Sequence, residues 1–144
     1  MSAEENKAVA RRVLHEVVQK GNLDVVDELI APEYRYSAPG NPEVRGPEGY
    51  KQLVTMYRSA FPDMQMTEDD IVAEGDKVVT RWTARGTHRG ELMGIPPTGK
   101  QINVTGMVIA RIAGGKIVEE HEVFDALGMM QQLGVVPTPE QARA

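Results

Sequence analysis

The chain is expected to fold as an α+β domain, a strongly curved antiparallel sheet wrapped by N-terminal helices around an internal pocket. Three observations predict this. Apolar residues recur at helical spacing from residue 3 to residue 61, then alternate from residue 64 to residue 124. These periods belong to helix and strand respectively. Two glycine turns, Glu74-Gly-Asp-Lys77 and Ala113-Gly-Gly-Lys116, join successive alternating runs as hairpins. The 144 residues, 41% of them hydrophobic, are enough for one core built from two packed layers. A sheet curled over helices encloses a concavity, and concavities are where small molecules bind.

The elements follow in order. Residues 3–20 carry Val9, Val13 and Val17 at helical spacing beside Ala10 and Leu14, with Gly21 as the stop. Asn22 caps a shorter helix that turns Leu23, Val26, Leu29 and Ile30 inward and ends at Pro32. Tyr34 to Ser37 forms a short strand, followed by the loop Ala38-Pro-Gly-Asn-Pro42. Pro47 suits the first turn of a third helix, whose apolar stripe is Tyr50, Leu53, Val54, Tyr57 and Phe61. Beyond Pro62 the runs 64–73, 78–88, 101–112 and 116–124 read as four strands. Asp125 caps a last helix carrying Leu127, Met130 and Leu133, closed by Gly134, and capping accounts for this aspartate. Residues 1–134 thus form a single domain, and the tail 135–144 is expected to leave the core and fray.

Composition excludes several functions. A net charge of −5 argues against nucleic acid, since phosphate binding needs a basic face. No apolar run approaches the roughly 20 residues that span a bilayer, and the charged N-terminus lacks a signal-peptide core. A cytoplasmic protein without membrane partners is the expectation. The absence of cysteine removes disulfides, thiol nucleophiles and thiolate metal sites. The three histidines have no metal-ligand spacing, so neither a metal nor another cofactor is expected.

The segment Gly94-Ile-Pro-Pro-Thr-Gly-Lys-Gln101 nearly spells a phosphate-binding loop, but Pro96 and Pro97 lack the N–H groups that cradle phosphate. Gln101 replaces the magnesium-binding hydroxyl, and a strand follows where a helix is needed. It is a stiff inter-strand loop. His88, at a strand end, serves either as a proton donor or hydrogen-bonding contact to substrate, or as a buried, satisfied histidine that pins that loop. His15 and His121 fall elsewhere, on the first helix and on the face opposite the glutamates. Trp82, the single tryptophan, packs in the core or lines the cavity against a planar ligand. Several methionines supply adaptable packing, and Met66 is a candidate to line the pocket. Arg81, Arg85 and Arg111 have the parity opposite to Trp82 and Val108, which disfavours an Asp–Arg–Asp epoxide-hydrolase arrangement.

Glu120 and Glu122 carry the most chemical information. Side chains alternate along a strand, so Val118, Glu120, Glu122 and Phe124 share one face with the carboxyl groups roughly 6.5–7 Å apart. Facing water, they are solubility charges. Facing a pocket, they form an acid/base pair, because desolvation and a like-charged neighbour raise a carboxyl pKa toward neutrality. The neighbouring strand turns its even residues, Ile102, Val104, Val108 and Ile112, inward. Ile117 and Val123 favour the other parity in the last strand, so periodicity leaves both faces open.

Gly86-Thr-His-Arg-Gly-Glu-Leu-Met-Gly-Ile-Pro-Pro-Thr-Gly99, with Arg111-Ile-Ala-Gly-Gly-Lys-Ile117, Gln131-Gln-Leu-Gly134 and Ala31-Pro-Glu-Tyr34, resembles the SnoaL-like polyketide cyclases of the nuclear-transport-factor-2-like superfamily. The resemblance implies a cone-shaped barrel with an internal pocket, a homodimer, and no cofactor. It also implies an aldol ring closure in which an acidic residue removes a proton beside a carbonyl and returns one to the new oxygen. Laid on that pattern through Gly115-Lys-Ile117 and Gln132-Leu-Gly134, the catalytic aspartate falls on Glu122. Two supporting histidines fall on Glu120 and Val108, a pocket asparagine on Tyr36, and the histidine of the Gly-x-His-x-Gly segment on His88. The acid is kept one methylene longer while most of its helpers differ.

The expected function is therefore a cofactor-independent enzyme acting on a small apolar carbonyl compound by cyclase- or isomerase-type proton transfer. Glu122, Glu120 and His88 are the catalytic candidates, and Tyr36, Trp82, Val108, Phe124 and Met66 the substrate contacts. A non-catalytic module binding a hydrophobic ligand in the same pocket is the rival, and epoxide or lactone hydrolysis a third reading.

Overall fold

The structure, a computed structural model, describes residues 2–143. Helix α1 (Ala3–Arg12) starts on a capping box in which Ser2 and Glu5 satisfy each other's backbone N–H groups. It continues as a wider π-helical stretch, Val13–Gln19. Arg58 closes that stretch by donating from Nη1 to the carbonyls of Val18 and Gln19 at 2.8 and 2.7 Å. Gly21 follows at φ +72°, where a Cβ would lie 2.6 Å from Arg58 Nε, so the stop needs glycine for conformation and space alike.

The second predicted helix is shorter than expected, a 3₁₀ turn at Leu23–Val25 and then α2 (Val26–Leu29). Strand β1 (Ile30–Ser37) begins four residues before the predicted strand and includes Pro32. A two-residue strand β2 (Val44–Arg45) pairs with it, where only a loop had been expected next to α3 (Gly46–Ala60). Strands β3 (Gln65–Glu74), β4 (Lys77–Thr87), β5 (Gln101–Ala113) and β6 (Lys116–Phe124) form the predicted meander. Helix α4 (Ala126–Gln132) is capped by Asp125, which accepts from Gly128 N at 2.9 Å. The tail expected to fray carries a short helix α5 (Pro139–Arg143).

The six strands make one mixed, open sheet in the order β2-β1-β6-β5-β4-β3. The pairing of β1 with β6 is parallel and every other pair antiparallel. The expected α+β fold, helices over a curved sheet with an internal pocket, is the one observed; in detail the sheet is mixed rather than wholly antiparallel, and its edges stay open. Helix α1 lies across β3 and β4, and α3 lies across β1. Two apolar clusters result, one around Val17, Leu29, Tyr34 and Ile117, the other around Phe61, Trp82, Val104 and Leu133. A cavity opens between them, lined from both. Met107, Ile109 and Val123 stand exposed on the outer face of the sheet. Among the described residues no helix is long and apolar enough to cross a membrane.

Candidate active site

Strand β6 sets the parity question in an unforeseen way. Arg111 of β5 pairs with Glu119, but Ile112 pairs with Ile117, so Val118 is an extra, bulged residue. The bulge flips the alternation. Ile117, Glu120, Glu122 and Phe124 line the cavity, Val118 does not, and Val123 is exposed. The sequence placed Val118 on the glutamate face; the bulge moves it off.

Parallel pairing with β1 sets Tyr36 beside Glu120, and Tyr34 and Tyr36 share the glutamate face. Tyr34 Oη donates to Glu120 Oε1 at 2.6 Å, and Tyr36 Oη to Glu122 Oε1 at 2.5 Å. Trp82 Nε1 donates to Glu122 Oε2 at 3.0 Å from β4, reaching across β5. That reach depends on Gly106, which pairs with both Trp82 and Phe124. A Cβ at Gly106 would meet the indole at 2.5 Å and Phe124 Cβ at 2.7 Å.

Burial is the largest influence on both carboxyl groups, because removal from water penalises the charged form. Glu120 is pushed up to about 7, with the Tyr34 hydrogen bond opposing the shift and the Glu122 charge adding to it. Glu122 is also raised by burial, but hydrogen bonds from Tyr36 and Trp82 both pull it down. Two donors favour its ionised form and leave Glu120, with one, as the better proton holder. Tyr34 and Tyr36 are raised by burial and by the charges of the carboxylates they serve, so both remain hydroxyl donors.

The cavity measures about 150 Å³. Met66, Trp82, Val108 and Phe124 line it, as do Tyr36, Glu120 and Glu122. His88 does not. It is fully buried beside Phe61, its Nδ1 accepts from Thr98 N at 3.2 Å, and its Nε2 has no hydrogen-bond partner. With its backbone bonded to Lys100 and Gly99, it pins the 88–100 loop. Of the two sequence readings for His88, its position is that of the buried pin, although the expected satisfaction is incomplete because Nε2 lacks a partner. Arg81, Arg85 and Arg111 are outside the lining, and none of the lining residues is Lys, Arg or His.

Sequence reasoning missed Tyr34, which serves Glu120, and it counted Tyr50 and Tyr57 only as apolar stripe, although both line the cavity. It also missed Glu68, a lining residue paired with Arg11 at 3.1 Å, and Gly106. A glycine inside a long strand was the available signal for the last. Among the described residues, no three His, Cys, Asp or Glu side chains are grouped to hold a metal ion.

Known proteins with this fold are numerous. The SnoaL-like polyketide cyclase profile matches residues 8–133. Aklanonic acid methyl ester cyclase DnrD of Streptomyces peucetius is 36% identical over 138 residues, covering 92% of this chain and 93% of that protein. A SnoaL-like protein from Jannaschia sp. CCS1 superposes with a TM-score of 0.86 at 26% identity, covering 94% of this chain and 95% of that one. TsrD of Streptomyces laurentii does so at 0.84 and 30%, covering 94% and 99%. Fold and sequence coverage agree, and the chain belongs to the SnoaL-like polyketide cyclase family.

Proposed function

We propose that the protein is a cofactor-independent cyclase that closes a ring in an uncharged, largely apolar carbonyl compound by aldol-type proton transfer. The observation that carries this reading is the pairing of two buried carboxyl groups with unequal numbers of donors. Glu122, the better stabilised carboxylate, takes a proton from the carbon beside a carbonyl. Glu120, held near neutrality in its protonated form, supplies a proton to the alkoxide made in the new C–C bond. A lining without cations and with three carboxyl groups disfavours an anionic substrate. DnrD is by name the cyclase of a methyl ester, whose esterified carboxyl carries no charge.

The test is solvent-deuterium incorporation and ring closure in aklanonic acid methyl ester and simpler aryl β-keto esters, followed by NMR. Wild type should exchange the α-proton faster than buffer, and Glu122→Gln should lose about a hundredfold or more at neutral pH, the range expected for a general base. A loss far below about tenfold removes Glu122 from the role. Tight ligand retention with no exchange in wild type would favour a binding module instead.

A further inference from the structure

The register of the meander fixes the floor on which a ligand lies. Thr80, Val108 and Glu122 form one row across β4, β5 and β6, with Trp82, Gly106 and Phe124 in the next. All of the first row line the cavity. Glu122 stands at one end of that row, the apolar Val108 in the middle and Thr80 at the other end.

Thr80 is only 7% exposed. Among the described residues, the sealed side-chain atoms without a hydrogen-bond partner are Asn6 Oδ1 and His88 Nε2. Thr80 Oγ1 is not one of them, and no protein group bonds it, so the hydroxyl opens onto the cavity. Valine has the same shape and stands at the neighbouring positions Val78 and Val108. A hydroxyl where a methyl would fit is costly unless something satisfies it, and buried polar groups ordinarily have partners. The other polar groups of the floor are already engaged: Glu122 with Trp82, Glu120 with Tyr34, and Glu68 with Arg11. Thr80 alone on the sheet has a proton to donate and nothing in the protein to receive it.

We propose that Thr80 is a specificity-determining contact of this pocket, donating its hydroxyl to a second, carbonyl oxygen of the substrate at the far side of one ring from the carbon that Glu122 deprotonates. The proposal rests on the general-base reading of Glu122. Two strand spacings of about 4.8 Å set Thr80 and Glu122 roughly 9.6 Å apart at the backbone. Contacts of about 3 Å, made from the ends or from below, leave roughly 4–9 Å between the reacting carbon and the bonded oxygen. One six-membered ring lying over Val108 fills that span. An apolar ring alone would fit the floor in either direction, and the hydroxyl selects the direction that delivers the acidic C–H to Glu122.

1,4-Diacetylbenzene offers a methyl ketone to Glu122 and a carbonyl oxygen to Thr80. 4-Isopropenylacetophenone is its isostere, with CH2 in place of that oxygen. Quenching of Trp82, the single tryptophan, gives the dissociation constant of each probe, and loss of the acetyl methyl protons in deuterium oxide, followed by NMR, gives exchange. Wild type should bind the diketone more tightly than the isostere. Thr80→Val, which keeps the shape, should lose about five- to tenfold in diketone binding, as a hydrogen bond lost from a buried oxygen does. It should hold the isostere as before, and Thr80→Ser should restore the preference. The statistical advantage of the symmetric probe cancels between proteins. Thermal unfolding of Thr80→Val should not come earlier than that of wild type, since the hydroxyl has no protein partner to lose. No preference in wild type, a preference kept in Thr80→Val, an equal loss of both probes, or a Thr80→Ser protein no better than Thr80→Val each overturns the contact. The general base fails separately, if Glu122→Gln exchanges the methyl protons as fast as wild type, and the diketone preference still reads Thr80 in that case.

Discussion

Glu120 is taken out of water by the pairing of β6 with β1 and by the packing of Tyr34 against Tyr50, whose rings meet edge-on at 5.5 Å. One donor, the Tyr34 hydroxyl, does not offset that burial. With a folded-state value of about 7 against an unfolded one near 4.5, the native protein holds more protons than the unfolded chain between those values. Stability attributable to Glu120 is therefore fully present below about pH 4.5 and falls as pH rises toward 7, levelling off above it. At 1.36 kcal/mol per unit the fall is at most about 3 kcal/mol. Glu122 is raised in the same direction and adds to it. Glu120→Gln, which keeps an acceptor for Tyr34, should remove the Glu120 part of this slope. Urea unfolding on either side of the window measures it, and a slope identical in variant and wild type would assign the pH response elsewhere.

At the scale of the element, the site depends on two irregular points, one in β5 and one in β6. Gly106 leaves β5 bare where the Trp82 indole crosses toward Glu122. Gly106→Ala should push the indole off that carboxylate and cost about 1–3 kcal/mol, as overpacking does. Trp82 is the only tryptophan, so its fluorescence reads the displacement directly, and an unchanged emission spectrum would refute the crossing. The Val118 bulge is the second point, and it explains what the sequence could convey. Alternation in β4 and β5 was legible because each of these strands buries one face, while β3 only half-buries its inward residues. In β6 the apolar Ile117 is followed by Val118, the bulged residue itself, and no glycine or proline marks the bulge, so the parities conflict on paper and agree in space. The parallel contact of β1 with β6 joins residues 86 apart in sequence at the Tyr34–Glu120 bond, and no local pattern encodes it. The stripe of α3 was legible as inward-facing, but whether Tyr50 and Tyr57 spend their hydroxyls inside the protein depends on neighbours from other elements.

The whole molecule holds open a space that close packing would ordinarily fill. Helices α1 and α3 lean on an open, curved sheet, and small side chains on that sheet, Ala84 and Ala110 among them, keep about 150 Å³ clear beside the glutamates. Such a void forgoes contacts that would stabilise the fold, so function and stability oppose each other here. Ala84 makes the opposition measurable. It pairs with Val104 on β5, lines the cavity, and lies one inward position beyond Trp82 and Gly106, clear of the carboxyl groups. Ala84→Leu puts an isobutyl group into the void. The added burial should leave stability unchanged or raise it by up to about 2 kcal/mol, at roughly 0.8 kcal/mol per methylene. The same side chain should weaken 4-nitrotoluene binding, read by Trp82 fluorescence, while leaving the pH response of Glu120 in place. A destabilised variant that binds the probe as well as wild type would mean that the space beside Ala84 is closed packing, and that the substrate is held entirely on the side of Tyr36 and Tyr57.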